Sequence, residues 1–306
     1  LENVHFTHAA TADAFPPSLL PQVSAVVFAP GASSDELRKL LHATPQCRWL
    51  HSLSAGVDKL APLLPELRAS RVALTNGRGA FSQSLAEYTI AAALHFNKQL
   101  TRCAKNREGK LWDAFTMNVL AGKTMGFVGY GDIAKSAAKL AAAFGMRLLA
   151  LRRQPADPAG AANDLIAQTY CSDNDPTEFY RQCDFVMCSL PLTEATRGFI
   201  GEQAFASMKP GCVFISLGRG AVVDEGALLR ALQRGEIGGA ACDVFEVEPL
   251  PESSPLWSCE NLLLTAHNAD LTEDFFARAW KVWADNHSCY MSGTAFATLV
   301  DLEAGY

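Results

Sequence analysis

The sequence has little of what nucleic-acid-binding, membrane or metal proteins require. Its 26 lysines and arginines are outnumbered by 32 aspartates and glutamates, so the net charge is −6. Nucleic acid and anionic membrane surfaces both need a basic protein surface, and neither is expected as a partner. No apolar run approaches the ~18 residues of a membrane span. The seven histidines lack H-x-x-x-H spacing, so no metal site is expected.

Cysteine is present without the spacing of a disulfide or zinc framework. The nine cysteines are odd in number, form no C-x-x-C pair and lie mostly in apolar strings. Used in this way, free thiols are small hydrophobic residues suited to a reducing compartment. The N-terminal residues also lack a basic segment followed by an apolar core, which a secretory signal would need. We therefore expect a cytoplasmic protein with free thiols.

The length of 306 residues predicts about two domains. In the first ninety residues, strand-like segments alternate with helical patterns, which favours a parallel α/β sheet. Ser84 and Glu87 have the spacing of a capping box, so a helix is predicted to begin near Ser84. The predicted strands of this part are residues 4–8, 25–30, 47–52 and 71–76.

A second, longer series follows, with helical segments between its strands. Its strands are continuous apolar runs, so both faces of the sheet should be covered. One helix is predicted to end at Gly145, another to run from Asp224 to Gly235, and a last one to begin near residue 272. Residues 154–163 form the clearest loop. The predicted strands are residues 125–129, 147–151, 185–190, 213–217, 239–244 and 261–266.

The turn after the first strand of this series has the pattern of a dinucleotide-binding loop. Gly129 permits the tight turn, Gly131 lets the backbone approach a pyrophosphate, and Ala134 allows close packing of helix on strand. Asp132 and Ile133 begin the helix whose free N–H groups would hold the anion. Alone, the pattern could equally be an ordinary turn; its strand–turn–helix context favours nucleotide binding.

The end of the next strand predicts which nucleotide is preferred. An NAD site usually has a carboxylate there for the ribose 2′-hydroxyl. Here Arg152 and Arg153 occupy that point, and no carboxylate appears until Asp157. Arginine pairs with a 2′-phosphate through charge-assisted hydrogen bonds. We predict that NADP(H) is preferred over NAD(H); the alternative is that both arginines are solvated surface charges.

Three ionisable residues each follow a strand of the second series, at the edge where parallel sheets bind ligands. Arg219 could bind a substrate carboxylate, and His267 could transfer a proton to or from the neighbouring oxygen. Glu248 could orient the imidazole of His267. Asp243 could bond the nicotinamide carboxamide. Each residue taken singly could instead be a surface turn, a loop charge or a structural histidine; their combination favours hydride transfer to a 2-oxo acid.

Residues 189–251 and 261–267, together with GFVGYGDIA at residues 126–134, resemble the D-isomer-specific 2-hydroxyacid dehydrogenase family. The resemblance implies an Arg–Glu–His active site and an α/β fold of two domains. A Rossmann-type doubly wound parallel sheet would comprise residues 96–272. A flavodoxin-like substrate domain would comprise residues 1–95 and 273–306. The resemblance also implies a homodimer, with Trp112 in a segment near the neighbouring subunit's site.

The same resemblance assigns the remaining site residues. Residues 52–58 resemble the family's carboxylate-binding loop, in which backbone N–H groups of Ala55, Gly56 and Val57 would face the substrate. Residues 76–82 resemble a second substrate-side loop. Ala266 replaces the usual proline before the histidine. Arg152 replaces the aspartate of NAD-using members, as is typical of NADP-preferring glyoxylate and hydroxypyruvate reductases. The cofactor surface would also include Leu190, Pro191, Leu217 and Gly218.

The sequence thus predicts NADPH-dependent reduction of a small 2-oxo acid, such as glyoxylate or hydroxypyruvate, to the D-2-hydroxy acid. The alternative is a binding protein of the same fold, a nicotinamide-sensing corepressor like the C-terminal-binding proteins. An intact Arg–Glu–His set does not distinguish the two; turnover with 2-oxo acids would.

Overall fold

The computed structural model describes residues 4–153 and 165–306, so the predicted loop at 154–163 lies outside the described residues. The strands are β1 (Ala25–Phe28), β2 (Trp49–Ser52), β3 (Ala73–Thr75), β4 (Thr124–Val128), β5 (Arg147–Arg152), β6 (Gln168–Cys171), β7 (Phe185–Cys188), β8 (Val213–Ser216), β9 (Gly239–Cys242) and β10 (Leu262–Leu264). The α-helices are α1 (Ser34–Ala43), α2 (Leu64–Ala69), α3 (Ser82–Asn97), α4 (Leu100–Glu108), α5 (Asp132–Ala143), α6 (Thr177–Gln182), α7 (Glu202–Ser207), α8 (Glu225–Arg234) and α9 (Phe275–Ser292).

The chain divides into two compact units. The N-terminal unit contains Leu1–Phe81 and Asp274–Tyr306, and the central unit contains Ser82–Glu273. The sequence placed the first boundary at residue 95, inside α3. The structure instead places the whole of α3 in the central unit, because this helix packs against α5.

The N-terminal unit is built on a sheet of three parallel strands in the order β1-β2-β3. Leu299 adds an isolated antiparallel bridge to Thr75. Three of the four strands predicted here are confirmed, but the strand at residues 4–8 is wrong. In that segment Phe6 contacts the rings of Trp280 and Trp283 of α9 and stays 55% exposed, so its position is fixed by ring packing and not by pairing with a strand.

The central unit contains a sheet of seven parallel strands in the order β10-β9-β8-β7-β4-β5-β6. All six predicted strands are confirmed. The central strands are buried along their whole length, as their continuous apolar sequences predict. Sequence analysis missed β6, because this edge strand is polar and half-exposed. From β4 the chain adds β5 and β6 on one side and then β7 to β10 on the other. The gap between β4 and β7 is therefore the point of the sheet where open α/β folds bind ligands.

The helix ends in the central unit mostly follow the sequence signals. Gly145 has a φ of 73° just after α5, and the Asp224 side chain accepts a hydrogen bond from the Ala227 N–H at the start of α8. The capping box is wrong, because α3 begins at Ser82. Ser84 lies inside its first turn, and its hydroxyl donates to the Ala269 carbonyl.

All nine cysteines are free thiols, as predicted. Burial raises the pKa of Cys183 and of Cys188 to about 12, so these thiols stay protonated near neutral pH. Across residues 4–153 and 165–306, no helix combines the length and the apolar composition that crossing a bilayer demands.

Candidate active site

The glycine-rich turn lies between β4 and α5. Gly129 has a φ of 81°, and a Cβ atom added there would lie 2.7 Å from the Leu190 Cδ2 atom, so only glycine fits. Gly131 precedes α5, and a Cβ added there would meet no atom within 4 Å. Its backbone therefore faces open space at the N-terminus of a twelve-residue helix. This geometry fits a pyrophosphate, which the free N–H groups of α5 would bind.

The loops after β7 and β8 approach the same turn. A Cβ added to Gly218 would lie 2.4 Å from the Leu190 carbonyl oxygen. Leu217 is buried, and its N–H donates to the carbonyl of Cys188 at the end of β7. Pro191 follows Leu190 and is half-buried. Residues that the sequence assigned to one cofactor surface therefore lie at one end of the sheet.

Arg152 ends β5 beside the glycine-rich turn. Its guanidinium carbon lies 4.5 Å from the ring centroid of Tyr130, the residue between the two glycines. This cation–π contact holds the guanidinium beside the glycine-rich turn. Arg152 is half-buried, whereas Arg153 is exposed. Of the two arginines, Arg152 is therefore the one held against the glycine-rich turn.

His267 and Glu248 lie within hydrogen-bond distance of each other, as expected for a carboxylate that orients the imidazole. The Nδ1 atom of His267 lies 2.7 Å from Glu248 Oε2, while Glu248 Oε1 accepts the Phe245 N–H at 2.9 Å. The two side chains are 41% and 34% exposed, so both remain accessible to solvent. His267 has a φ of 51°, and its N–H donates to the Asp243 carbonyl at 2.8 Å.

The Arg219 loop packs directly on the Glu248 loop. A Cβ added to Gly220 would lie 1.8 Å from the Phe245 carbonyl carbon, so no larger residue fits at 220. Burial raises the pKa of Asp270, and the positive charges of His267 and Arg219 both oppose that rise. The structure therefore brings Arg219, Glu248 and His267 to one region of the central unit.

Asp243 has contacts that the sequence did not predict. It is 2% exposed, and its carboxylate accepts hydrogen bonds from Thr265 Oγ1 at 2.6 Å and from the N–H groups of Asn268 and Ala269. These contacts hold the loop that carries His267. The contact of Asp243 with a carboxamide stays a prediction.

Two polar residues of α3 that sequence reasoning left out of the site support the same loop. The Tyr88 hydroxyl lies 2.8 Å from Thr265 Oγ1, and burial raises the pKa of Tyr88 to about 12. The Ser84 hydroxyl holds the Ala269 carbonyl. No sequence signal joins these residues to the His267 loop, because their contacts with it span 177 and 185 positions.

The predicted substrate loop lies in the N-terminal unit. The Gly77 N–H donates to the Ser54 carbonyl at 3.0 Å, and Asn76 Nδ2 donates to the Ala55 carbonyl at 2.7 Å. Ala55 and Gly56 are half-buried, whereas the Val57 side chain is buried. Within the described parts of the chain, no three His, Cys, Asp or Glu side chains cluster as metal ligands.

Comparison with known proteins gives consistent results. Residues 90–269 match the family model described as "D-isomer specific 2-hydroxyacid dehydrogenase, NAD binding domain". The chain is 33% identical over 282 residues to glyoxylate/hydroxypyruvate reductase B of Escherichia fergusonii, covering 88% of this chain and 84% of that protein.

Two solved structures are similar over nearly the whole chain. A D-isomer specific 2-hydroxyacid dehydrogenase of Xanthobacter autotrophicus, in complex with NADPH and MES, has a TM-score of 0.80 and 27% identity, covering 95% of this chain and 87% of that one. The NADPH-dependent glyoxylate/hydroxypyruvate reductase of Sinorhizobium meliloti, in complex with NADP and sulfate, has a TM-score of 0.79 and 26% identity, covering 93% and 86%. Together with the glycine-rich turn and the two-unit α/β fold, these matches show that the chain belongs to the D-isomer specific 2-hydroxyacid dehydrogenase family, and is an oxidoreductase with a nicotinamide-nucleotide-binding domain.

Proposed function

We propose that the protein reduces a small 2-oxo acid, such as glyoxylate or hydroxypyruvate, to the D-2-hydroxy acid, with NADPH preferred over NADH. The observation that carries the proposal is the 2.7 Å contact between His267 and Glu248 beside the Arg219 loop, in the unit that also holds the glycine-rich turn. The names of similar proteins, which include glyoxylate/hydroxypyruvate reductases, support the substrate class.

The nucleotide would be held at the end of the central sheet. The backbone of Gly129 and Gly131 and the first turn of α5, which begins with Asp132 and Ile133, would bind the pyrophosphate. The other surfaces assigned to the nucleotide are Leu190, Pro191, Leu217 and Gly218. A bound nicotinamide nucleotide supplies the hydride.

The chain's own residues supply binding and the proton. The guanidinium of Arg219 binds the substrate carboxylate and polarises the adjacent carbonyl. Protonated His267 donates its Nε2 proton to the carbonyl oxygen as that oxygen becomes an alkoxide. Glu248 accepts the Nδ1–H of the imidazole, which fixes the orientation of the ring and its tautomer. In the oxidation direction His267 takes the proton back.

A matched panel assay tests this reaction. NADPH consumption is measured at 340 nm with glyoxylate, hydroxypyruvate, pyruvate and larger 2-oxo acids, and the chirality of each chiral product is determined. We expect turnover of at least one small 2-oxo acid, with the D-isomer as product. Binding of NADPH without turnover of any acid would contradict the proposal and favour the corepressor-like binding protein.

The preference for NADPH is supported by the position of Arg152 against Tyr130 and by NADP or NADPH in two similar structures. A charge-assisted hydrogen bond to a 2′-phosphate contributes about 1.5–3 kcal/mol, roughly ten- to a hundredfold in affinity. Arg152→Asp should therefore invert the ratio of KM values for NADPH and NADH. Arg147→Asp, at the other end of β5, is the matched control. An unchanged ratio in Arg152→Asp would refute the role of this arginine.

We also propose that the protein is a homodimer that pairs through the segment after α4. Trp112 is 99% exposed, and Leu111 and Val119 are more than half exposed. An apolar segment of this kind is typical of a protein–protein contact. Light scattering should give a dimer for the native chain and a monomer for Trp112→Glu. Trp257→Glu, at another exposed tryptophan, should leave the mass unchanged; a monomeric native chain would contradict the proposal.

A further inference from the structure

A network of hydrogen bonds between buried neutral side chains connects α9 with the predicted substrate loop at residues 54–57. Its members are Asn286 on α9, Thr298 in the C-terminal segment and Asn76 just after β3. They are 0%, 8% and 4% exposed. Burying polar side chains destabilises a protein unless their hydrogen bonds are made. The position of each side chain in the network therefore constrains the position of its neighbour.

The first contacts fix the backbone of Asn76. Asn286 Nδ2 donates to Thr298 Oγ1 at 2.9 Å, and the Thr298 N–H donates to Asn286 Oδ1 at 3.2 Å. Thr298 Oγ1 in turn donates to the Asn76 carbonyl at 2.6 Å. The Asn76 N–H donates to the Thr298 carbonyl at 3.3 Å. Both the carbonyl and the N–H group of Asn76 are therefore bonded to Thr298.

The side chain of Asn76 then reaches the loop. Its Nδ2 donates to the Ala55 carbonyl at 2.7 Å, and its Oδ1 accepts the Arg78 N–H at 3.3 Å. The opposite orientation of the amide would place its oxygen against the Ala55 oxygen. Gly77 adds a second tie, donating its N–H to the Ser54 carbonyl at 3.0 Å.

These two ties determine where the loop's amide hydrogens point. In a planar trans peptide the C=O and N–H groups point in opposite directions. Because the Ser54 carbonyl faces Gly77, the Ala55 N–H points away from it. Because the Ala55 carbonyl faces Asn76, the Gly56 N–H also points away. Two successive N–H groups are thus directed to the side of the loop opposite Asn76, an arrangement that binds anions.

We propose that Asn76 is a positioning residue, which turns the N–H groups of Ala55 and Gly56 toward the substrate carboxylate and is itself held by Thr298 and Asn286. This inference rests on the proposed reduction of a 2-oxo acid. Asn76 does not touch the substrate in this arrangement. It acts only through the orientation of the two peptide groups.

Asn76→Asp provides a test at constant side-chain size. The new carboxylate oxygen would face the Ala55 carbonyl, so the donor is lost and the peptide is repelled. We expect KM for the 2-oxo acid and the calorimetric Kd of oxalate to rise by about tenfold or more, the effect of one lost charge-assisted contact. The Kd of NADPH should stay unchanged, and kcat should change less than KM.

A second pair of variants covers the case in which Asn76→Asp does not fold. Thr298→Val removes the hydroxyl that holds the Asn76 carbonyl, whereas Thr298→Ser keeps it. We expect Thr298→Val to raise KM and the Kd of oxalate, and Thr298→Ser to behave like the native chain. Circular dichroism and the thermal midpoint verify that each variant is folded.

The outcomes separate this inference from the proposed reaction. Folded Asn76→Asp or Thr298→Val with native KM and native oxalate Kd would overturn the positioning role. Equal losses of oxalate and NADPH binding would overturn it too, because they would indicate general unfolding. A native chain that binds oxalate but reduces no 2-oxo acid would refute the reaction, while weaker oxalate binding by Asn76→Asp would still support the orientation of the loop.

Discussion

The two units of the molecule carry their candidate binding groups in different ways. In the central unit the candidate catalytic groups are charged side chains, and His267 and Glu248 remain partly exposed at 41% and 34%. In the N-terminal unit the groups are backbone amides of a loop, and the residues that orient them are neutral and buried. In the proposed reaction the central unit would supply the proton from a side chain, whereas the N-terminal unit would bind the substrate carboxylate through backbone amides.

The difference follows from the cost of burial. A charged side chain removed from water without a partner is strongly destabilising, so charged groups that act on a ligand stay at the surface end of the strands. A neutral amide or hydroxyl can be buried at low cost when its hydrogen bonds are made. Substitutions should therefore alter rate in the central unit, and geometry or stability in the N-terminal unit.

The largest effect is expected at His267. His267→Ala removes the general acid, so kcat for reduction should fall by about 10²–10⁴-fold. The thermal midpoint and the Kd of NADPH, measured by fluorescence, should stay close to native values. His95→Ala on α3, which removes a histidine bonded to Thr101, is the control. A kcat of His267→Ala within tenfold of the native value, or a sharp fall in its thermal midpoint, would show that His267 is not the general acid or that it also stabilises the fold.

A smaller effect is expected at Glu248. Glu248→Gln keeps the shape of the side chain but removes its charge, and its single carbonyl oxygen cannot accept from both His267 Nδ1–H and the Phe245 N–H. Hydrogen bonds to charged groups contribute about 1.5–3 kcal/mol, so kcat should fall by roughly ten- to a hundredfold. Glu246→Gln changes an exposed carboxylate on the same loop and should leave kcat unchanged. Equal effects of the two substitutions would show that the contact with His267 is not what matters.

In the N-terminal unit we expect an effect on stability, through the pH dependence of the free energy of unfolding. Burial lowers the pKa of His51 from its ordinary value of 6.5 to about 4. The folded state thus binds this proton less readily than the unfolded state. The resulting stability is complete above pH 6.5 and is lost as the pH falls toward 4. Between pH 7.5 and pH 5 the free energy of unfolding should fall by about 2 kcal/mol through this residue.

Urea unfolding of the native chain and of His51→Asn at both pH values isolates the contribution of His51. Asparagine can still accept a hydrogen bond from Thr75, whose hydroxyl lies 2.7 Å from His51 Nδ1. Between pH 7.5 and pH 5 the free energy of unfolding of His51→Asn should fall by about 2 kcal/mol less than that of the native chain. Parallel pH profiles for the two proteins would show that His51 does not contribute it.

The smallest effect is expected at Gly131, where the backbone of the central unit would also take part in binding. Gly131 has a φ of −89° and open space at its Cβ position, so Gly131→Ala fits without strain. The loss of chain freedom in the unfolded state should stabilise the fold by about 0.4–1 kcal/mol. The Kd of NADPH should nevertheless rise, because the methyl group would occupy the space of the pyrophosphate.

Gly129→Ala, with a φ of 81° and a clash at Leu190, should destabilise the fold. An NADPH Kd unaffected by Gly131→Ala would contradict this use of the glycine.

Much of the central unit was predictable because its signals are local. Continuous apolar runs indicate buried parallel strands, and Gly129 and Gly131 mark the turn that follows one of them. Residues directly after such strands lie at one edge of the sheet, so the sequence alone is enough to group Arg219, Glu248 and His267. The polar edge strand β6 and the first turn of α3 were missed or misassigned, because tertiary contacts outweigh local preference there.

The sequence by itself determined the family, the doubly wound sheet and the identity of the charged residues at its strand ends, because each depends on patterns only a few residues long. Only the tertiary structure decided which groups hold those residues in place: Tyr88 and Asp243 behind the His267 loop, Asn76 behind the loop at 54–57. Those contacts join positions about 20 to nearly 180 residues apart, and their partners are chosen by packing of the folded chain.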